Sequence, residues 1–290
     1  MVMNMYKYKE ALRMSYRIVG DSCTDLPENL MKDSRIRLVP LSIQIESEII
    51  IDDESFNQAD FLKKMDASKE CPKSSCPSPE AFMKEFDGAE DIYVITISGA
   101  LSGSYNSAEL AKKLYLEEHP NKNILVIDSK SASIGQTLIA MKIMELADKG
   151  MSFAEVSKKI LEFRDNLNTK FVLETLDTLR KNGRLNNITA VICSVLNIKP
   201  VMGADDGLIV KLDQARGIDK ALAKMAKYIS EDVKNPQDRI LGIAHCNNYE
   251  RALYTKQEIL KLVPFKDCVI VDTRGIATLY ANDGGIIAAY

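Results

Sequence analysis

Hydroxyl side chains gather at three places where an apolar strand gives way to a helix. Ser22 and Thr24 follow Arg17-Ile-Val-Gly20, and Ser98, Ser102 and Ser104 follow Asp91-Ile-Tyr-Val-Ile-Thr-Ile97. Ser129, Ser131 and Ser133 follow Asn123-Ile-Leu-Val-Ile-Asp128. In an open α/β sheet, ligands sit outside the carboxyl ends of the strands, so these groups are expected to face one cleft. The turn Ser102-Gly103-Ser104 opens a helix, where free backbone N–H groups and the positive end of the dipole favour an anion. Ser22, Thr24, Ser98 and Ser104 are therefore candidate cleft residues beside Ser102 and Gly103. Plain helix capping is the competing reading, since Ser, Thr and Asp start most helices. The same choice applies to Asp21 and Asp25, which read either as a carboxylate pair or as caps. Taken alone, Ser74 and Ser75 read as loop residues, Arg184 and Arg216 as surface charges, and His245 as a structural strand-end residue.

Several other chemistries lack their residues. There is no Gly-x-x-x-x-Gly-Lys-Ser/Thr loop, and no Gly-x-Gly-x-x-Gly follows the first strand. Gly-x-Ser-x-Gly and Ser-x-x-Lys patterns are missing as well. Two histidines, His119 and His245, have no cysteine spaced to complete a zinc site, so no metal is expected. The six cysteines are irregularly spaced, which fits reduced thiols and a cytoplasmic location better than a disulfide frame. A net charge of −3 argues against a nucleic-acid partner, which requires a basic face. No stretch approaches the ~18 apolar residues of a membrane span. The first fifteen residues lack the apolar run of a signal peptide.

The elements that must position these groups alternate in kind. Up to about residue 152, short apolar strands are followed by helices, which predicts a mostly parallel, Rossmann-like sheet flanked by helices. Ile36-Arg-Leu-Val-Pro-Leu-Ser-Ile-Gln-Ile45 reads as one strand, placed at an edge by Pro40. Lys69 to Ser78 reads as a polar loop, ended by Ser78-Pro79 as a helix start. From residue 153 onward, Asp205-Asp206-Gly207 signals a hairpin between Ile198–Met202 and Leu208–Leu212, so a mixed sheet with helices is expected. The reading is an α/β chain of two domains, 16–152 and 153–290.

Five segments, in order, resemble the DegV family, the fatty-acid-binding subunits of bacterial fatty acid kinases. Asp21-Ser-Cys-Thr-Asp-Leu26 is similar to its opening Asp-Ser-Thr-x-Asp-Leu signature, and Lys73-Ser-Ser-Cys-Pro-Ser78 to its Lys-Thr-Ser-Gln-Pro-Ser loop. Leu101-Ser-Gly-Ser-Tyr-Asn106 is similar to Leu-Ser-Gly-Thr-Tyr-Gln, and Leu179-Arg-Lys-Asn-Gly-Arg184 to Leu-x-Lys-Gly-Gly-Arg. Leu196-Asn-Ile-Lys-Pro200 resembles the motif after it. The resemblance implies a long-chain fatty acid between two domains, its carboxylate at Ser74 and Ser102, and no further cofactor. It implies that Arg184 and Arg216 face a kinase that makes the acyl phosphate, the chain itself being non-catalytic. The family's C-terminal His-x-Gly-Pro-Gly appears here as Ala281-Asn-Asp-Gly-Gly285, which leaves Asn282 as a substitute donor. The competing function is an enzyme acting on a small phosphorylated or carboxylated metabolite in the serine-rich cleft.

Overall fold

The computed structural model describes residues 16–185 and 197–290. In chain order the first part forms β1 (Tyr16–Asp21), α1 (Glu28–Met31), β2 (Ile36–Val39), β3 (Ser42–Ile45), β4 (Glu48–Ile51), α2 (Gln58–Ala67), β5 (Lys73–Ser75) and α3 (Pro79–Met83). It continues through β6 (Asp91–Thr96), α4 (Ser104–Glu118), β7 (Asn123–Asp128), α5 (Ile134–Asp148) and α6 (Phe153–Asp165). Strands β1, β2, β6 and β7 form a parallel sheet in the order β2-β1-β6-β7. A parallel sheet is covered on both faces, so its strands read as unbroken apolar runs. Ile18, Tyr93, Ile95 and Ile127 pack on Ile139, Ile143, Val156 and Ile160. Their neighbours Val19, Ile92, Val94 and Val126 pack on Phe82, Phe86, Ala108 and Ala111 on the other face.

The expected strand over 36–45 is two strands in two sheets. Pro40 supplies no N–H to a ladder, and the chain leaves the parallel sheet there. Strand β3 then pairs antiparallel with β4 and β5 in a separate three-stranded sheet. The polar loop of the sequence reading thus contains β5, whose Ser74 sits opposite Ile43.

The second part forms β8 (Thr169–Val172), α7 (Asp177–Lys181), β9 (Ile198–Asp205), β10 (Leu208–Arg216), α8 (Ile218–Asp232), β11 (Ile240–His245), α9 (Tyr249–Leu262), β12 (Asp267–Asp272), α10 (Gly275–Ala281) and β13 (Ile286–Ala289). Its mixed sheet runs β10-β9-β8-β13-β11-β12, with β11 and β12 the parallel pair. Leu222, Met225 and Ile229 of α8 pack on Leu241, Ile243 and Ile286 of this sheet.

Helix α6, read from sequence as the start of the second domain, buries Val156 and Ile160 in the core of the first sheet. Helix α5 binds the lobes together. Its residues from Ile134 to Ala140 are all buried, and the two polar ones donate hydrogen bonds there, Gln136 to Asp21 and Thr24 and Thr137 to the Asp25 carbonyl. A Cβ at Gly242 on β11 would come within 2.5 Å of Ile134 Cγ1, so glycine there allows the close approach. Among the described residues, no helix is long and apolar enough to cross a membrane.

Candidate functional site

A cleft runs between the lobes at the carboxyl ends of β1, β6 and β7, with about 850 Å³ of atom-free space counted to its open mouth. The first lobe supplies Cys23, Leu41, Ile97, Leu101 and Ala132 to its wall. The second supplies Phe171, Leu173, Leu179, Ile209, Ile276, Ala277, Ala281 and Ile287. Most of this lining is aliphatic or aromatic carbon, so the cleft offers dispersion and burial rather than a dense polar grip.

Of the polar lining, Ser131 and Thr169 bond to each other at 2.6 Å and Ser133 donates to Asp25. Ser74 on β5, Ser102 before α4, Tyr280 on α10 and Arg184 after α7 all line the cleft. Ser74 Oγ and Tyr280 Oη are 2.7 Å apart and share one hydrogen bond. Ser102 Oγ accepts the Ser104 N–H at 3.2 Å. These three hydroxyls carry three protons, and the Ser74–Tyr280 bond uses one. Among the described residues no acceptor takes the other two. The Arg184 guanidinium lies 5.4 Å over the Tyr280 ring and donates to the carbonyls of Leu101 (3.3 Å) and Asn182 (2.6 Å). No carboxylate pairs with it among the described residues. A carboxylate only accepts hydrogen bonds and carries the opposite charge, so an amphipathic anion is the kind of ligand these groups suit.

The structure spends the other candidate hydroxyls internally. Ser22 Oγ donates to Asp52 at 2.8 Å and accepts the Leu41 N–H. Thr24 accepts from Gln136, and Ser104 donates to Asp21 at 2.6 Å. Ser98 Oγ donates to the Gly207 carbonyl at 2.8 Å, tying the β9–β10 hairpin tip to the first lobe. Gly103 is exposed beside Cys76 and is absent from the lining. Asn282 stands outside the cleft, its φ of 56° carrying the side chain toward Thr178 and the Tyr280 carbonyl. Arg184, expected to face a partner, forms part of the wall, whereas Arg216 is exposed at the end of β10. The motif residue Leu196 lies outside the described residues.

Sequence reasoning passed over Tyr280, because it belongs to none of the motif segments and the short helix that carries it was not foreseen. It also passed over Lys130, which lines the cleft and pairs with Asp206 at 2.5 Å. His245 accepts the Asn248 N–H at 3.2 Å, a structural role. Among the described residues no His, Cys, Asp and Glu cluster suits a metal.

Beneath the cleft lie three buried carboxylates. The sheet order reverses between β1 and β6, the point where such folds commonly hold phosphate. Here Asp21 occupies it, accepting from Ile97 N–H, Ser104 and Gln136. Asp25 accepts from Ser133 (2.5 Å) and from the Arg274 N–H (2.7 Å). Asp52 accepts from the Gly275 and Ile276 N–H groups. Burial holds the carboxyl groups of all three above their ordinary range, against the opposing effect of these donors. The last two fasten the start of α10, and with it the wall that carries Tyr280. Ser133 holds a φ of 55° and ψ of −124°, strain that costs roughly 1–3 kcal/mol and is held by the bond to Asp25.

Comparison with known proteins places these features in context. Residues 15–289 match the family model described as "Uncharacterised protein, DegV family". A DegV domain-containing protein of Streptococcus gordonii is 38% identical over 280 residues, covering 96% of this chain and 99% of the relative. A DegV-family crystal structure from Ruminococcus gnavus, described with vaccenic acid, superposes with a TM-score of 0.93 at 47% identity, covering 96% of this chain and 99% of that one. The Streptococcus pneumoniae fatty acid kinase B3 protein loaded with linoleic acid gives a TM-score of 0.88 at 34% identity, with the same coverage of each chain.

Proposed function

The chain belongs to the DegV family, and from that premise we propose that it binds a long-chain fatty acid between its lobes and presents the carboxylate to a kinase. The observation that carries this reading is the pairing of an apolar cleft with two unclaimed O–H donors and an uncompensated guanidinium. Each buried methylene contributes ~0.8 kcal/mol, so a long acyl tail supplies on the order of 10 kcal/mol before ordering costs. Hydrogen bonds to the charged head add about 1.5–3 kcal/mol each before desolvation. Affinity therefore comes from the tail, and orientation from Ser74 and Ser102. No residue of the cleft is assigned a catalytic step. In this reading the phosphoryl group comes from ATP held by the partner, and the product is an acyl phosphate.

Organic extraction of the purified protein followed by mass spectrometry tests the first part, with about one fatty acid per chain expected. An empty cleft together with turnover of a soluble metabolite would sink it. Ser102→Ala should weaken retention of the acid by about tenfold or more, the loss of one charge-assisted bond, with an unchanged melting curve. Unaltered retention would remove Ser102 from the head-group end. The kinase step is tested by adding a candidate kinase and ATP and trapping acyl phosphate with hydroxylamine. Activity that does not require this chain would exclude presentation.

A further inference from the structure

We propose that Tyr280 determines selectivity of the cleft for ionised acids over neutral lipids, with Arg184 as the residue that positions it. This rests on the fatty-acid reading above. Tyr280 belongs to α10, whose first N–H groups are fixed by Asp25 and Asp52, so its Cα is anchored from the first lobe. Its ring is held from one face by the Arg184 guanidinium, itself tied to two backbone carbonyls. Its Oη is tied to Ser74 at 2.7 Å. All three side chains line the same cleft. Burial keeps the phenol protonated above its ordinary value, against the smaller opposing pulls of Ser74 and Arg184. The group therefore meets a ligand as a donor.

The Ser74–Tyr280 pair has two hydroxyl protons and one mutual bond, so one proton always points elsewhere. Whichever oxygen donates within the pair, the other directs its proton at the ligand. A carboxylate receives that proton in a charge-assisted bond, whereas an alcohol or ester receives it in a weaker neutral one. The cation over the ring polarises the phenol in the direction that strengthens donation. Discrimination between ionised and neutral head groups on the same tail then resides in this pair, while the tail contributes equally to both.

The experiment measures binding of oleic acid and of oleyl alcohol to the whole protein, to Ser74→Ala and to Ser74→Ala/Tyr280→Phe, by displacement of a fluorescent acyl probe at neutral pH. The Ser74→Ala background removes the serine proton that would otherwise stand in for the phenol. The expected result is a fall in the acid-to-alcohol affinity ratio of about tenfold from Ser74→Ala to the double variant, the difference between a charged and a neutral hydrogen bond. A ratio that is equal in Ser74→Ala and in the double variant overturns the assignment of Tyr280. If the unaltered protein binds neither probe ligand, the fatty-acid reading itself fails. Arg184→Gln is measured alone and combined with Tyr280→Phe, as a double-mutant cycle. It should lower the ratio more in the first background than in the second, where only its direct attraction for the carboxylate remains. Equal, additive losses in both backgrounds would show that Arg184 acts on the ligand directly, and would overturn its positioning role.

Discussion

At the residue scale, the buried acids make a claim that pH can test. Asp25 is fully buried, and burial sets its carboxyl well above the usual range, with Asp52 nearby adding to the effect and Ser133 and the Arg274 amide opposing it. In the unfolded chain an aspartate titrates near pH 3.9. Above that value the native protein still binds the proton that the unfolded chain has lost. The stabilisation from this group is therefore complete below about pH 3.9 and is lost as pH rises through the native pKa. Asp21 and Asp52 carry the same sign. His245 works the other way, because burial lowers its pKa and its contribution is lost as pH falls below the unfolded value. Glu145, drawn down to about 2 by Lys142 and Lys149, changes only at more acidic pH. The contribution of Asp25 is isolated by comparing urea midpoints of the protein and of Asp25→Asn between pH 5 and pH 8. The unaltered protein should lose more stability over that range than the variant. Parallel profiles would mean that Asp25 is ionised throughout, stabilised by its two donors more than burial penalises it.

At the element scale, the first sheet was legible because strands buried on both faces leave continuous apolar runs, and α4 and α5 follow them at the expected spacing. The short pieces were not. Strand β5 has three residues, Lys73–Ser75, and no run long enough to show a period. Helix α10 is buried at every position except Tyr280, so it carries no polar face to reveal it. Hydroxyls at strand ends were visible, but not whether each would turn into the cleft or toward a buried carboxylate, because Asp52 and Asp21 lie far away in sequence from some of their donors. The one hairpin announced by its turn residues has a second consequence. Gly207 has a φ of +81°, and a Cβ there would meet Ser98 Oγ at 2.5 Å. Gly207→Ala should strain the turn by about 1–2 kcal/mol and loosen the tip from Ser98. Since Ala204, Gly207 and Ile209 line the cleft, release of a bound acyl probe should quicken by about 5- to 30-fold. Stopped-flow transfer of the probe to vesicles measures this. An unchanged rate would place the exit away from the hairpin.

At the scale of the whole molecule, the cleft exists only while both lobes are in place. Each sheet has a core of its own, and the lobes meet through α5, the Asp25 and Asp52 bonds to α10, and the Ser98–Gly207 and Lys130–Asp206 contacts. A ligand touching Ile97 and Leu101 on one side and Phe171 and Leu179 on the other binds the assembled form and not the unfolded chain. Free acid at a hundred times its dissociation constant then adds about 2.7 kcal/mol to stability, which raises the melting temperature of a chain this size by several degrees. The tail sets the size of the effect. Every methylene that enters the cleft is worth ~0.8 kcal/mol, or about fourfold in affinity, whereas one beyond its end remains in water and adds nothing. Thermal melts with saturated acids of increasing length at fixed concentration should thus shift upward and then level off, and the levelling point reports the depth of the cleft. A shift that is absent for every acid, or the same for short and long ones, would mean that the tail does not lie between the lobes.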